Sequence, residues 1–167
     1  IGGLVYSLKK TTKRWCMGLL TNEHFDSIGT AEPSIEVEIS RREIQKYAAA
    51  TEQQQARYIQ GDEAPPMFIF NLFSPISSLA NMRADGLARG KATGPKLPLK
   101  RIMAGGTQIN QHLPIRPGDR LTGTRKITDM YEKQGSTGPL IFTVRSLAIT
   151  NIQGELVLEE IQTSIAR

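Results

Sequence analysis

The 167-residue chain has 39% apolar residues and a mean hydropathy of −0.29, enough for one water-soluble domain with a real core. Its net charge of +5 comes without a helix-turn-helix, zinc-knuckle or RNP-like pattern, so nucleic acid is not an expected partner. No apolar run reaches the roughly 18 residues of a membrane span, the single Cys16 precludes an internal disulfide, and two histidines are too few for a His-rich metal site.

Residues 1–26 read as an N-terminal extension and residues 27–167 as the folded domain. In the extension Lys9, Lys10, Lys13 and Arg14 divide the apolar residues, a pattern unlike a secretory signal. A cytoplasmic location is expected, with organellar import left open. Residues 34–39 alternate strictly and predict a strand with one buried face. Ser40 and Glu43 form a capping-box pair, and Ile44, Tyr47 and Ala48 continue at helical spacing, predicting a helix over 41–51.

Pro65 and Pro66 punctuate the chain before residues 67–73, which are apolar on almost every side and predict a buried helix extending towards Met82. Residues 83–101 then carry Arg83, Arg89, Lys91, Lys96, Lys100 and Arg101 against Asp85, among several glycines and prolines. That composition predicts a long basic surface loop. Strands are expected over 107–113, 121–131, 140–151 and 156–165, separated by turns at 114–118, 134–139 and 151–154. One strand, then helices, then several antiparallel strands define an α+β class in which a sheet curls around one apolar helix.

Ile28-Gly29, residues 35–51, and Ala64-Pro-Pro-Met-Phe68 resemble the N-terminal dehydratase domain of the MaoC-like hot-dog superfamily. Ala104-Gly-Gly-Thr, His112-Leu-Pro-Ile-Arg-Pro-Gly-Asp119, Asp129-Met-Tyr-Glu-Lys-Gln-Gly-Ser136 and Asn151-Ile-Gln-Gly-Glu155 continue the likeness in the same order. The resemblance implies a hot-dog fold: a curved antiparallel sheet around a central helix. It also implies hydration of a 2-enoyl thioester, or dehydration of a (3R)-hydroxyacyl thioester. No separate cofactor is implied, since coenzyme A or the phosphopantetheine of an acyl carrier protein arrives as part of the substrate.

The family pattern places an Asp and a His in a G-D-x-N-P-x-H loop. Here Gln53 stands at the Asp position, Gln55 at the Asn and Tyr58 at the His. An amide exchanges no useful proton near neutral pH, and a phenol with an ordinary pKa near 10 is a poor base. Asp62 and His112 are the remaining candidates for proton transfer. Pro66, with Met67, Phe68 and Phe70, is a candidate for polarising the thioester carbonyl at a helix start and lining the acyl tunnel. Lys91 and Lys96 are candidates for the carrier's phosphates. Three readings stay open: a hydratase or dehydratase subunit, a catalytically silent acyl-binding partner of a two-part dehydratase, and a hot-dog thioesterase. The family implies assembly as a homodimer, or as a heterodimer with a catalytic MaoC-like subunit.

Overall fold

The computed structural model describes residues 18–70, 72–84, 86 and 94–167. The short helix α1, Asn22–Asp26, precedes strand β1, Ile35–Glu38, whose glutamates point outward while Ile35 and Val37 are half-buried. Helix α2, Arg41–Ala50, starts where the capping box requires. Ser40 accepts from the Glu43 amide at 3.2 Å, and the Glu43 carboxylate accepts from the Ser40 amide at 3.2 Å. A single helical turn, α3, Ala56–Ile59, follows the loop after α2.

The remaining strands are β2, Ile102–Gln111; β3, Arg120–Gly135; β4, Gly138–Asn151; and β5, Leu156–Ala166. They form one antiparallel five-stranded sheet in the order β1-β3-β4-β5-β2. β3 and β4 make a long hairpin turning at Ser136 and Thr137, and Asn151 closes the next turn by accepting from the Gln153 and Glu155 amides at 3.1 and 2.9 Å. Register shifts between Ala104 and Gly106 and between Ile127 and Asp129 are bulges, which bend and coil a sheet. This is the curved hot-dog sheet.

The sheet's inner face carries two apolar clusters. In the first, Ile44 of α2 and Phe68, Ile69 and Phe73 pack with Leu121, Leu147 and Ile149. Tyr47 meets Phe68 edge to face at 5.6 Å. In the second, Leu20, Ile127, Met130 and Ile141 are buried, flanked by Phe25, Leu97 and Leu99. The basic loop is therefore packed in part: Leu97 and Leu99 cover this end of the sheet. His24 fastens it from the other side. Its Nδ1 accepts from the Thr21 amide at 3.0 Å, so Nε2 carries the proton and donates to the Lys96 carbonyl at 3.4 Å.

Two expectations are corrected. Residues 65–70 and 72–73 are turns and not a helix, with i to i+3 bonds from the amides of Phe68, Phe70 and Leu72 to the carbonyls of Pro65, Met67 and Ile69. Met67 lies in the left-handed region at φ 65°, which interrupts the helical ladder. The segment is consequently buried on one side only: Phe68, Ile69 and Phe73 are inside, while Met67 and Phe70 are 40% and 53% exposed. The extension towards Met82 is a short 3-10 turn, Leu79–Asn81, with Ile76 and Leu79 in solvent. Strand β2 starts at Ile102, ahead of the expected 107, because the bulge beside Gly105 and Gly106 lets a glycine-containing stretch stay paired with β5. Among the described residues no helix is long and apolar enough to cross a membrane.

Candidate active site

The motif loop is held from two sides. Arg41 donates to the Gln60 carbonyl at 2.8 Å and pairs with the Asp62 carboxylate at 2.5 Å, and the Gln45 amide reaches the same carbonyl at 3.2 Å. This close approach demands Gly61, whose φ is 73° and where a Cβ would meet Arg41 and Gln45 atoms at 2.9 Å. The α2 face and the motif loop thus form one rigid corner.

Within it the Gln53 amide donates to Thr51 Oγ1 at 3.1 Å. Gln55 accepts from Arg57 Nε at 3.0 Å. Tyr58 is buried, its hydroxyl accepting from Arg57 at 2.9 Å while the guanidinium lies 4.7 Å from the ring centre. Arg57 also faces Glu63 at 3.4 Å. Gln53, Gln55 and Tyr58 therefore share one corner, stitched by arginine and amide hydrogen bonds and holding no carboxylate–imidazole pair. Asp62 is occupied by Arg41 on the exposed side, so its carboxylate is engaged in structure.

His112 is exposed and its amide donates to the Val157 carbonyl at 2.9 Å, which places it at the end of β2, on an element separate from the motif loop. Pro66 is exposed, and the amide of Phe68 is spent on Pro65 at 3.1 Å. Among the described residues of this segment no helix starts, so the helix N-terminus expected to polarise a carbonyl is not formed by them. Phe68 belongs to the core and Phe70 faces outward. Lys96 is exposed beside His24; Lys91, Arg89 and Asp85 lie outside the described residues. Lys100 and Arg101 join Arg167 around an open cleft of about 590 Å³ floored by Leu99, Pro139 and Leu140. Among the described residues no three His, Cys, Asp or Glu side chains gather as metal ligands.

Sequence reasoning missed a polar belt on the inner face. Strand register puts Thr143 and Arg145 on the same side of β4 as Ile141, Leu147 and Ile149. Arg125 of β3 and Glu160 of β5 flank Leu147, and Gln162 of β5 pairs with Arg145. Arg145 donates to Ser164 Oγ at 3.2 Å. Burial lowers the Arg145 guanidinium from its ordinary value, with Glu32 opposing that shift and Arg125 reinforcing it. Burial raises the Glu160 carboxyl, and Arg125 partly offsets this. The signal was present in the sequence: polar residues at the parity that otherwise carries Ile and Leu.

A curved antiparallel sheet with this corner at one end defines a hot-dog fold. Residues 26–160 match the family model of the FAS1-like dehydratase domain region, and the chain belongs to that family. It is 28% identical over 103 residues to the mesaconyl-C(4)-CoA hydratase of Chloroflexus aurantiacus, covering 62% of this chain and 36% of that protein. The chain thus spans about a third of the length of this curated relative. The C-terminally truncated HadBC (3R-hydroxyacyl-ACP dehydratase) complex of Mycobacterium tuberculosis superimposes with a TM-score of 0.61 at 19% identity, over 84% of this chain and 98% of that one. The MaoC-like dehydratase of Rhodospirillum rubrum gives 0.53 at 17% identity, over 83% and 91%.

Proposed function

We propose that this domain binds a 2-enoyl or (3R)-hydroxyacyl thioester of coenzyme A or acyl carrier protein, and that a partner MaoC-like domain supplies the acid and base. Family membership supports the thioester class, since the relatives are a CoA-thioester hydratase and an acyl-carrier dehydratase complex. The observation that carries the division of labour is the motif corner itself. Gln53 and Gln55 offer amides, and Tyr58 is a buried phenol accepting a hydrogen bond from Arg57. Removing a proton from carbon or water needs a group that titrates in reach of the substrate, and these three do not supply one.

Assembly is supported by β2. Among the described residues it pairs only with β5, and residues 102–108 are exposed throughout, with Ile102 63% and Met103 38% accessible. An exposed sheet edge with apolar side chains is a template for pairing with another chain. A partner that fits this edge is a second hot-dog domain, identical or catalytic.

The test follows the loss of enoyl absorbance of crotonyl-CoA, with binding measured in parallel by calorimetry. The chain alone binds crotonyl-CoA without hydrating it, and hydration appears on adding a MaoC-like subunit that carries the Asp and His. Hydration by the chain alone, abolished in Asp62→Asn or His112→Ala, would assign the chemistry to those residues and refute the division.

A further inference from the structure

The inner-face belt has no part in the motif corner. It lies between two apolar clusters that are each covered, one by α2 with Ala64, Phe68, Ile69, Leu72 and Phe73, the other by residues 19–28 and 97–99. Between these covers the sheet opens: Gln162 of β5 and Thr107 of β2, paired side by side with Arg145 in the same row, are exposed. One row further, the Thr143 hydroxyl is fully buried yet has no hydrogen-bond partner. A buried hydroxyl without a partner is unfavourable, so an orphan one row from an opening is a group that a ligand atom would satisfy.

Resting on the thioester reading above, we propose that Arg145, with the hydroxyls of Thr143 and Ser164, recognises a carboxylate carried by the acyl group away from the thioester. The chemistry decides the class. A guanidinium only donates, so its ligand partner must be an acceptor. A partly desolvated arginine binds a carboxylate through charge-assisted hydrogen bonds about twice as strong as neutral ones. A plain alkyl tail laid on the same floor would bury the Thr143 hydroxyl without satisfying it.

Among the described residues the charges on this face are Arg125, Arg145 and Glu160, and, one row beyond Thr143, Glu132, whose Oε1 accepts from the Leu20 amide at 2.7 Å while its Oε2 is unpartnered; Glu32 acts on Arg145 from the lead-in to β1. Arg125 compensates Glu160, flanking Leu147 in the same row. Glu32 lies half-buried on the lead-in to β1, where its amide donates to the Arg125 carbonyl at 2.8 Å. It is a carboxylate whose charge acts on Arg145, as a ligand carboxylate would.

The experiment compares glutaryl-CoA with pentanoyl-CoA by titration calorimetry on the full chain. The two probes share a five-carbon acyl group and differ in a terminal carboxylate. Glutaryl-CoA should bind about tenfold tighter or more. Arg145→Lys and Thr143→Val should weaken glutaryl-CoA, the latter by about two- to tenfold, and leave pentanoyl-CoA unchanged. Glu32→Gln should tighten glutaryl-CoA alone, an opposite sign that a purely structural role for the arginine would not produce. Thr143→Val replaces an unsatisfied hydroxyl by a methyl, so its melting temperature should hold or rise. Equal affinities for the two probes, or variants that shift both alike, overturn this inference and leave the thioester reading standing. Binding of neither probe removes both.

Discussion

Placing a methyl group at Gly123 tests how the apolar turn segment docks on the sheet. Gly123 sits on β3 opposite Ile149, and a Cβ there would lie 2.3 Å from Phe73 Cδ1 and 2.6 Å from Cγ. Carbon atoms prefer separations of about 3.5–4.0 Å, so the ring must retreat by more than an ångström. Phe73 is 2% exposed, among close-packed neighbours that give little. Overpacking of this kind costs about 1–3 kcal/mol, against a gain of about 0.4–1 kcal/mol from the stiffer unfolded chain. Gly123→Ala should therefore lose about 1–2 kcal/mol in urea unfolding with an unchanged slope, a fall of about 2–8 °C in Tm. Phe73→Leu alone should also destabilise, by leaving space beside Gly123. Combined, the two changes should cost less than their sum by about 1 kcal/mol, because the added methyl occupies the vacated volume. A neutral Gly123→Ala, or strict additivity, would refute the packing of Phe73 on β3.

Four further outcomes can be checked. Ser40→Ala removes the α2 cap and should cost about 1 kcal/mol in chemical denaturation. Gly61→Ala forces a left-handed alanine against Arg41 and Gln45, and should cost about 1–3 kcal/mol and speed local amide exchange over residues 56–63. Glu160 binds its proton more tightly folded than unfolded, so its contribution is present below the ordinary carboxylate value of 4.5 and is lost as pH rises through the raised folded value. Glu160→Gln should flatten the Tm–pH curve above pH 4.5, and an unchanged curve would contradict the burial. Ile102→Lys with Met103→Lys should shift any assembly to monomers in sedimentation while leaving the circular dichroism spectrum intact.

What the sequence disclosed follows the strength of its periodicities. Alternation over residues 34–39 and the Ser40–Glu43 pair located β1 and the start of α2 because both signals are local and physical. The β3–β4–β5 meander was equally legible from its β-branched residues and its glycine and asparagine turns. The apolar run at 67–73 misled, since hydrophobicity on all sides says that a segment seeks cover but not whether its backbone is helical. Met67 at φ 65° is a tertiary outcome without a sequence mark. The displacement of the motif residues was readable from identity alone, whereas their anchoring by Arg41 and Arg57 depends on loop geometry. The inner-face belt escaped notice because Arg145 and Glu160 resemble ordinary surface charges until strand parity is fixed by pairing.

The strand order also dictates how the molecule comes together. β3 and β4 are neighbours in sequence and joined by two residues, so their hairpin closes a small loop, whereas Ile35 must find Gly123 and Ile102 must find Ala166. Chain-closure entropy makes the short connection the early one and leaves β1 and β2 to join late. Among the described residues β2 pairs with β5 alone, so a polypeptide interrupted before residue 156 would leave that strand without its sheet neighbour. Any surface that β2 offers to another subunit therefore comes into being only after β5 is in place, so that any assembly through this edge would wait on β5.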